Sequence, residues 1–155
     1  MEKLDTTEVA ERAGEFVEEV IERSGLDLDA RVNVEEEETI RIELNGEDSE
    51  LVLADSARLL YAINHLVNQI FYRQARNGCS FILDCEHYRG DRAAELELMA
   101  RKAAERVRLT GKSVILQPMP SSERRIIHLA LAEEPGIRTE SEGSGRYRHV
   151  QIVPE

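Results

Sequence analysis

Tryptophan is absent, aromatic residues make up only 5% of the chain, and its 155 residues include just two cysteines and four prolines. The shortages exclude several function classes. Cys79 and Cys85 form no Cys-x-x-Cys pair and flank no histidine pair, so no structural zinc or other metal site is expected. The opening stretch, MEKLDTTEVAERAGEF, lacks the apolar core of a signal peptide. Two lone thiols in an unexported chain read as reduced, buried and cytosolic. No apolar run approaches the roughly 18 residues of a membrane span, so no membrane partner is expected. No phosphate-binding loop or nucleophile motif is visible, and no cofactor is expected.

What is present is charge, unevenly placed. Charged residues are 33% of the chain against 41% hydrophobic, and the net charge is −11. Residues 1–60 hold 19 acids and 6 bases, whereas residues 61–155 hold 12 acids and 14 bases. The total argues against indiscriminate binding to polyanions. A nucleic-acid surface is to be sought in the second part.

Hydrophobic spacing predicts a helix over 6–24, carried by Val9, Ala13, Phe16, Val17, Val20 and Ile21 and stopped by Gly25. Residues 31–44 alternate instead, as two strands around the acidic run Glu35–Glu38, which reads as a solvated turn guarding a sheet edge. A long helix is expected over 58–76, with Leu59, Leu60, Ile63, Leu66, Val67, Ile70 and Phe71 as its buried stripe and Asn77-Gly78 as its end. Then come a strand over 80–88, a helix over 90–109, a strand over 113–117, a helix over 121–133, and strands over 137–142 and 146–153 joined at Gly143-Ser144-Gly145. Within 49–67, Ala54-Asp55-Ser56-Ala57 is a tight junction feeding a helix. It reads as an ordinary cap or as an anion cradle that has been closed.

Two stretches have the composition of a binding surface. In SSERRIIHLALAEEPG, Arg124 and His128 are four apart and share a helix face, while Arg125 projects about 100° away. A guanidinium forks two donors to a phosphate, and an imidazole hydrogen-bonds or stacks. An ordinary helix-surface pair is the plainer reading of that spacing. In GSGRYRHVQIV, strand alternation puts Arg146 and Arg148 on one face and Tyr147 and His149 on the other. Cations interleaved with an aromatic suit a single-stranded nucleic acid, with phosphates on arginine and a base stacked on tyrosine. Asp84, Glu86 and His87 are a weaker acid/base candidate. They read better as positioning the next helix or pairing with Arg89 and Arg92.

The stretch ERRIIHLAL, with its Arg-x-x-x-His at Arg124 and His128, resembles an R-3-H domain, and TESEGSGRYRHVQIVP resembles that domain's closing hairpin. With LDCEHYRGDR and LQPMPSSERRIIH upstream, the chain resembles the bacterial Jag family, in which a KH domain precedes an R-3-H domain. The resemblance runs from about Glu15 to the C-terminus and is most specific in roughly the last 75 residues. It implies an α+β fold: a prokaryotic-type (type II) KH domain with its N-terminal helix in residues 1–89, ordered helix–strand–strand–helix–helix–strand, then a connecting helix and a small α/β R-3-H domain in 90–155. It implies that residues 47–53 are a short helix, where pattern alone leaves strand and helix open. It also implies binding of RNA or single-stranded DNA, with Arg124 and His128 on the surface, and association with a second copy or a small KH-domain protein. A regulatory role in RNA metabolism, cell growth or division goes with it.

Three departures from the family stand out. Many members carry an extra N-terminal domain and linker, which this sequence does not show. Pro120-Ser121 stands where the family often has Asn-Pro. Ala54, Asp55, Ser56 and Ala57 occupy the place of the KH Gly-x-x-Gly, whose glycines let backbone N–H groups approach phosphates. Alanine adds methyls there, and Asp55 sets a carboxylate where a phosphate would lie. Two charges ~4 Å apart at an effective dielectric near 20 interact by roughly 4 kcal/mol before screening. The expectation is a cytoplasmic, non-enzymatic RNA-binding protein acting mainly through Arg124, Arg125, His128, Arg146, Tyr147 and Arg148, with a structural or protein-interacting KH half. The competing expectation is a protein-interaction scaffold with little RNA affinity.

Overall fold

Asp5 opens the first helix, α1 (Thr6–Ser24). Its carboxylate accepts the Glu8 N–H at 2.9 Å, and Glu8 Oε2 accepts the Asp5 N–H at 3.2 Å, closing a capping box. Gly25, left-handed at φ 68°, ends it. The bounds match the periodic run, and Val9, Ala13, Val17 and Ile21 are buried. A Cβ on Gly14 would stand 2.7 Å from Val32 Cγ2, so this glycine sets how closely the helix meets the sheet. The computed structural model describes residues 4–75 and 78–155. It falls into two units, one ending at Arg89 and the other Gly90–Glu155.

In the first unit, β1 (Asp29–Val34) runs antiparallel to β2 (Thr39–Asn45), and β2 runs parallel to β3 (Ser80–Cys85), in the order β1-β2-β3. The acidic run between β1 and β2 forms a short 3-10 turn, Glu36–Glu38, and Arg41 Nε donates to Glu35 at 2.6 Å. Ile40, Ile42 and Leu44 stand opposite Phe81, Leu83 and Cys85, and all six are buried. The next helix, α2 (Ser49–Phe71), is broken. Ala54 is extended, and Asp55, Ser56 and Ala57 take φ of 52°, 60° and 57°. Helical spans 49–53 and 58–71 flank the break, so the unit has the order helix–strand–strand–helix–helix–strand. Three consecutive left-handed L-residues cost roughly 1–2 kcal/mol each. The methyl of Ala57 is fully buried in the core, which offsets part of that cost.

The buried stripe of α2 is narrower than its apolar content. Leu60, Ile63, Val67 and Phe71 face the core, whereas Leu59, Leu66 and Ile70 lie on the next face, 40–49% exposed. The helix ends at Phe71, short of the expected 76. Asn77, half of the predicted stop, lies outside the described residues. The strand expected over 80–88 stops at Cys85, because Glu86 and His87 take φ of 50° and 58° and turn the chain.

The second unit begins within α3 (Tyr88–Thr110) and continues with β4 (Val114–Ile115), α4 (Ser121–Ala130), β5 (Ile137–Glu142) and β6 (His149–Pro154). The strands form an antiparallel sheet in the order β4-β6-β5. Leu96, Ala100, Ala104 and Val107 of α3 share a core with Ile127 of α4 and with Ile137, Val150 and Ile152 of the sheet. Helix α4 ends before the expected 133. The last strand starts at His149 rather than 146, because Gly145–Tyr147 is a 3-10 turn. Gly143, at φ 82°, packs so tightly under that turn that a Cβ would lie 2.8 Å from the Tyr147 carbonyl oxygen. Among the described residues no helix is long and apolar enough to cross a membrane.

The left-handed break yields a direct prediction. Ser56→Gly removes the strain at an exposed position and gives back part of it through unfolded-chain entropy. It should raise unfolding free energy by about 0.5–1 kcal/mol, read as a higher denaturant midpoint. A lower midpoint would show that the left-handed geometry is not strained.

Candidate nucleic-acid interface

Helix α4 places its side chains by simple periodicity. Ile127 points inward and is fully buried, as is Glu123 one turn earlier, which is 2% exposed. Glu123 sits inside because Arg92 of α3 meets it with two bonds, Nε to Oε1 at 3.2 Å and Nη2 to Oε2 at 3.1 Å. Arg92 also donates to Glu95 at 2.7 Å. The Glu123 bonds, followed by the neighbouring carboxylate charges, raise the Arg92 pKa against the pull of burial. Pairing of Arg92 with Asp84, Glu86 or His87 is thus corrected: its partners are Glu123 and Glu95.

With Glu123 and Ile127 turned in, Arg124 and His128 come to the half-buried flank and Arg125 is exposed. Arg124 Nε donates to the Met119 carbonyl at 3.3 Å, and Nη1 donates to Ser141 Oγ at 3.1 Å. His128 Nδ1 lies 2.7 Å from Thr139 Oγ1, and Nε2 lies 2.8 Å from the same Ser141 Oγ. Burial, and then the neighbouring Arg124 charge, lower the His128 pKa below its usual value. Ser121, Ser122, Arg124, Arg125, His128 and Leu129 line a shallow open groove of about 550 Å³. The first turn of α4 follows Pro120 and has no side-chain cap.

The hairpin is arranged differently from the strand alternation expected of it. Arg146, Tyr147 and Arg148 precede β6, so they do not sort onto two strand faces. All three are exposed. Arg146 lies over the Tyr147 ring, 5.0 Å from its centroid, and its Nη2 donates to the Tyr147 hydroxyl at 2.9 Å. Met119 links this segment to α4, because its N–H donates to the Arg148 carbonyl at 3.1 Å while its own carbonyl takes the Arg124 bond. Sequence reasoning missed Thr139 and Ser141. Their spacing of two on a strand puts them on one face, which is the only signal the sequence carries.

In the first unit, Ala54, Asp55, Ser56 and Ala57 form the left-handed break, and Arg58 Nη1 donates to Asp55 at 2.7 Å. The free edge of β3 is occupied by side chains. Asn68 accepts the Phe81 N–H at 3.1 Å and donates to the Phe81 carbonyl at 2.9 Å. Asn64 accepts the Leu83 N–H at 2.7 Å, and Arg89 Nε donates to the Leu83 carbonyl at 2.6 Å. Asp84 accepts the N–H groups of Cys85 and Arg89 at 2.9 and 3.1 Å, and Ser49 Oγ donates to Glu86 at 3.2 Å. The space among Asp84, Glu86 and His87 is about 10 Å³, scarcely that of one water.

Residues 94–154 match the R-3-H domain family, which places an R-3-H domain in the second unit. The RNA-binding protein KhpB of Clostridium symbiosum is 33% identical over 143 residues, covering 92% of this chain and 64% of that protein. The second unit is thus an R-3-H domain, and most of the chain is similar to a protein named KhpB. A Bacillus subtilis (strain 168) relative with the same KhpB name is 36% identical over 120 residues, 76% of this chain and 58% of that protein. A Streptococcus pneumoniae serotype 2 relative is 26% identical over 153 residues, 98% of this chain and 46% of that protein. The chain therefore spans less than two thirds of the length of these relatives.

Two outcomes follow from the site's electrostatics. Glu123→Ala leaves Arg92 with only the exposed Glu95 as a partner and should cost about 3 kcal/mol, seen in urea denaturation; a loss below about 1 kcal/mol would mark the pair as dispensable. The lowered His128 pKa also sets a sign. The unfolded chain takes up this proton first as pH falls below about 6.5, so stability present above that value is lost on acidification through the folded pKa. Urea midpoints at pH 7.5 and 5 should differ more in the parent than in His128→Gln.

Proposed function

We propose that this chain is a non-enzymatic RNA-binding protein of the cytoplasm that takes single-stranded RNA mainly on its R-3-H unit. The observation carrying this reading is the Arg124–His128 flank of α4, held in one geometry beside an open groove. The exposed Arg125 lies at the same groove, and Arg148 follows through Met119. An uncapped helix start at that groove adds N–H donors suited to an anion. Arg146 stacked on Tyr147 adds an exposed platform for a base. Single-stranded DNA offers the same phosphates and bases and is the alternative ligand. The relatives' KhpB name agrees with RNA.

The first unit, residues 1–89, is read as a KH-type domain with a structural or protein-interacting role. Asp55 and the missing glycines oppose a phosphate at the loop. The β3 edge is already bonded to Asn64, Asn68 and Arg89, so the backbone of Phe81 and Leu83 is not free to meet a base. The exposed stripe of Leu59, Leu66 and Ile70 favours a protein contact, with a second copy or a small KH-domain protein as occupant. A role in regulating growth or division belongs to the same reading.

The test is a salt titration with a single-stranded RNA oligonucleotide. Arg124→Ala with Arg148→Ala should weaken binding by about tenfold to a hundredfold. It should also flatten the plot of log affinity against log salt by roughly 1.4, near 0.7 for each phosphate no longer neutralised. An unchanged slope would move the interface elsewhere. Absence of parent binding at low salt would leave the scaffold reading.

A further inference from the structure

We infer that Ser141 is a positioning residue of this interface, setting the geometry of both Arg124 and His128 through one hydroxyl. The inference rests on the RNA-binding reading above and concerns how that surface is preorganised. Ser141 lies on β5, whereas the two residues it holds lie on α4. Its Oγ accepts from Arg124 Nη1 at 3.1 Å and stands 2.8 Å from His128 Nε2. Thr139, two residues earlier on the same strand face, stands 2.7 Å from the other ring nitrogen. Both imidazole nitrogens thus have a partner, and a flip or swing of the ring would break both bonds.

The consequence for Arg124 is larger. A free arginine side chain carries ~2 kcal/mol of rotamer entropy. Here Nε is tied to the Met119 carbonyl at 3.3 Å and Nη1 to Ser141. Two of its five N–H donors are spent, and three are left for a ligand. A cation pinned before binding does not lose that freedom on binding, which is how preorganisation raises affinity without any added interaction. Ser141 is half-buried between the two side chains. Alanine there removes one oxygen and leaves the strand's bond ladder unchanged.

The experiment uses Ser141→Ala and Ser141→Thr in the full chain. Without ligand, the Arg124 guanidinium should show hindered rotation by NMR in the parent and in Ser141→Thr, and fast rotation in Ser141→Ala. With a single-stranded RNA oligonucleotide, Ser141→Ala should bind about threefold to tenfold more weakly, with the parent's salt slope, since every phosphate-binding cation is kept. Ser141→Thr, which keeps the hydroxyl, should bind as the parent does. In an Arg124→Ala/His128→Ala background, Ser141→Ala should have no further effect, because a positioning residue acts only through the groups it holds. An undiminished effect in that background overturns the inference, since Ser141 would then touch RNA directly. Unchanged guanidinium rotation in Ser141→Ala overturns it whether or not RNA binds. A parent that binds no oligonucleotide at low salt overturns the RNA reading, while the ligand-free NMR separately decides whether Ser141 holds Arg124.

Discussion

The second unit depends on one ion pair. Helix α4 begins after a proline without a side-chain cap, so no cap fixes its first turn. Arg92 does so from α3, gripping the buried Glu123 carboxylate with two nitrogens. A buried pair of this kind contributes less through net energy than through the cost of every arrangement that breaks it. Turning Glu123 inward sets the rotation of the whole helix. Ile127 follows it into the core, and Arg124 and His128 are left on the flank that meets β5. The Arg124–His128 face is therefore held from below by a carboxylate buried from solvent.

The two units put their polar side chains to different uses. In the first, Asn64, Asn68 and Arg89 are spent on the backbone of β3, and Asp55 pairs with Arg58 across the loop. In the second, Arg125 stays exposed at an open groove, and Arg124 is held there with donors to spare.

Much of this was legible in the sequence. The bounds of α1 and β5, both predicted from periodicity or alternation, coincide with the structure. The Arg-x-x-x-His spacing identifies a shared helix face because only helix geometry is involved. Other features depend on residues far along the chain. Aspartate tolerates the left-handed region, but alanine and serine carry no such preference, so little local marks 55–57 as a left-handed run; the buried methyl of Ala57 belongs to tertiary packing. Alternation misplaced Arg146, Tyr147 and Arg148 because the turn extends past its glycines into a 3-10 turn. Leu59, Leu66 and Ile70 are as apolar as their buried neighbours, and only the sheet's position decides which face is covered.

The side chains along β3 also bear on the chain's behaviour in a crowded cell. A bare strand edge is a template on which another polypeptide adds a strand, by swapping or by aggregation. Here the N–H and carbonyl of both Phe81 and Leu83 are matched by Asn64, Asn68 and Arg89, a substitute strand made of side chains. The substitution leaves no run of backbone for an incoming segment to pair with. An amide-rich helix thus gives this sheet on that side the protection that a barrel obtains by closing on itself.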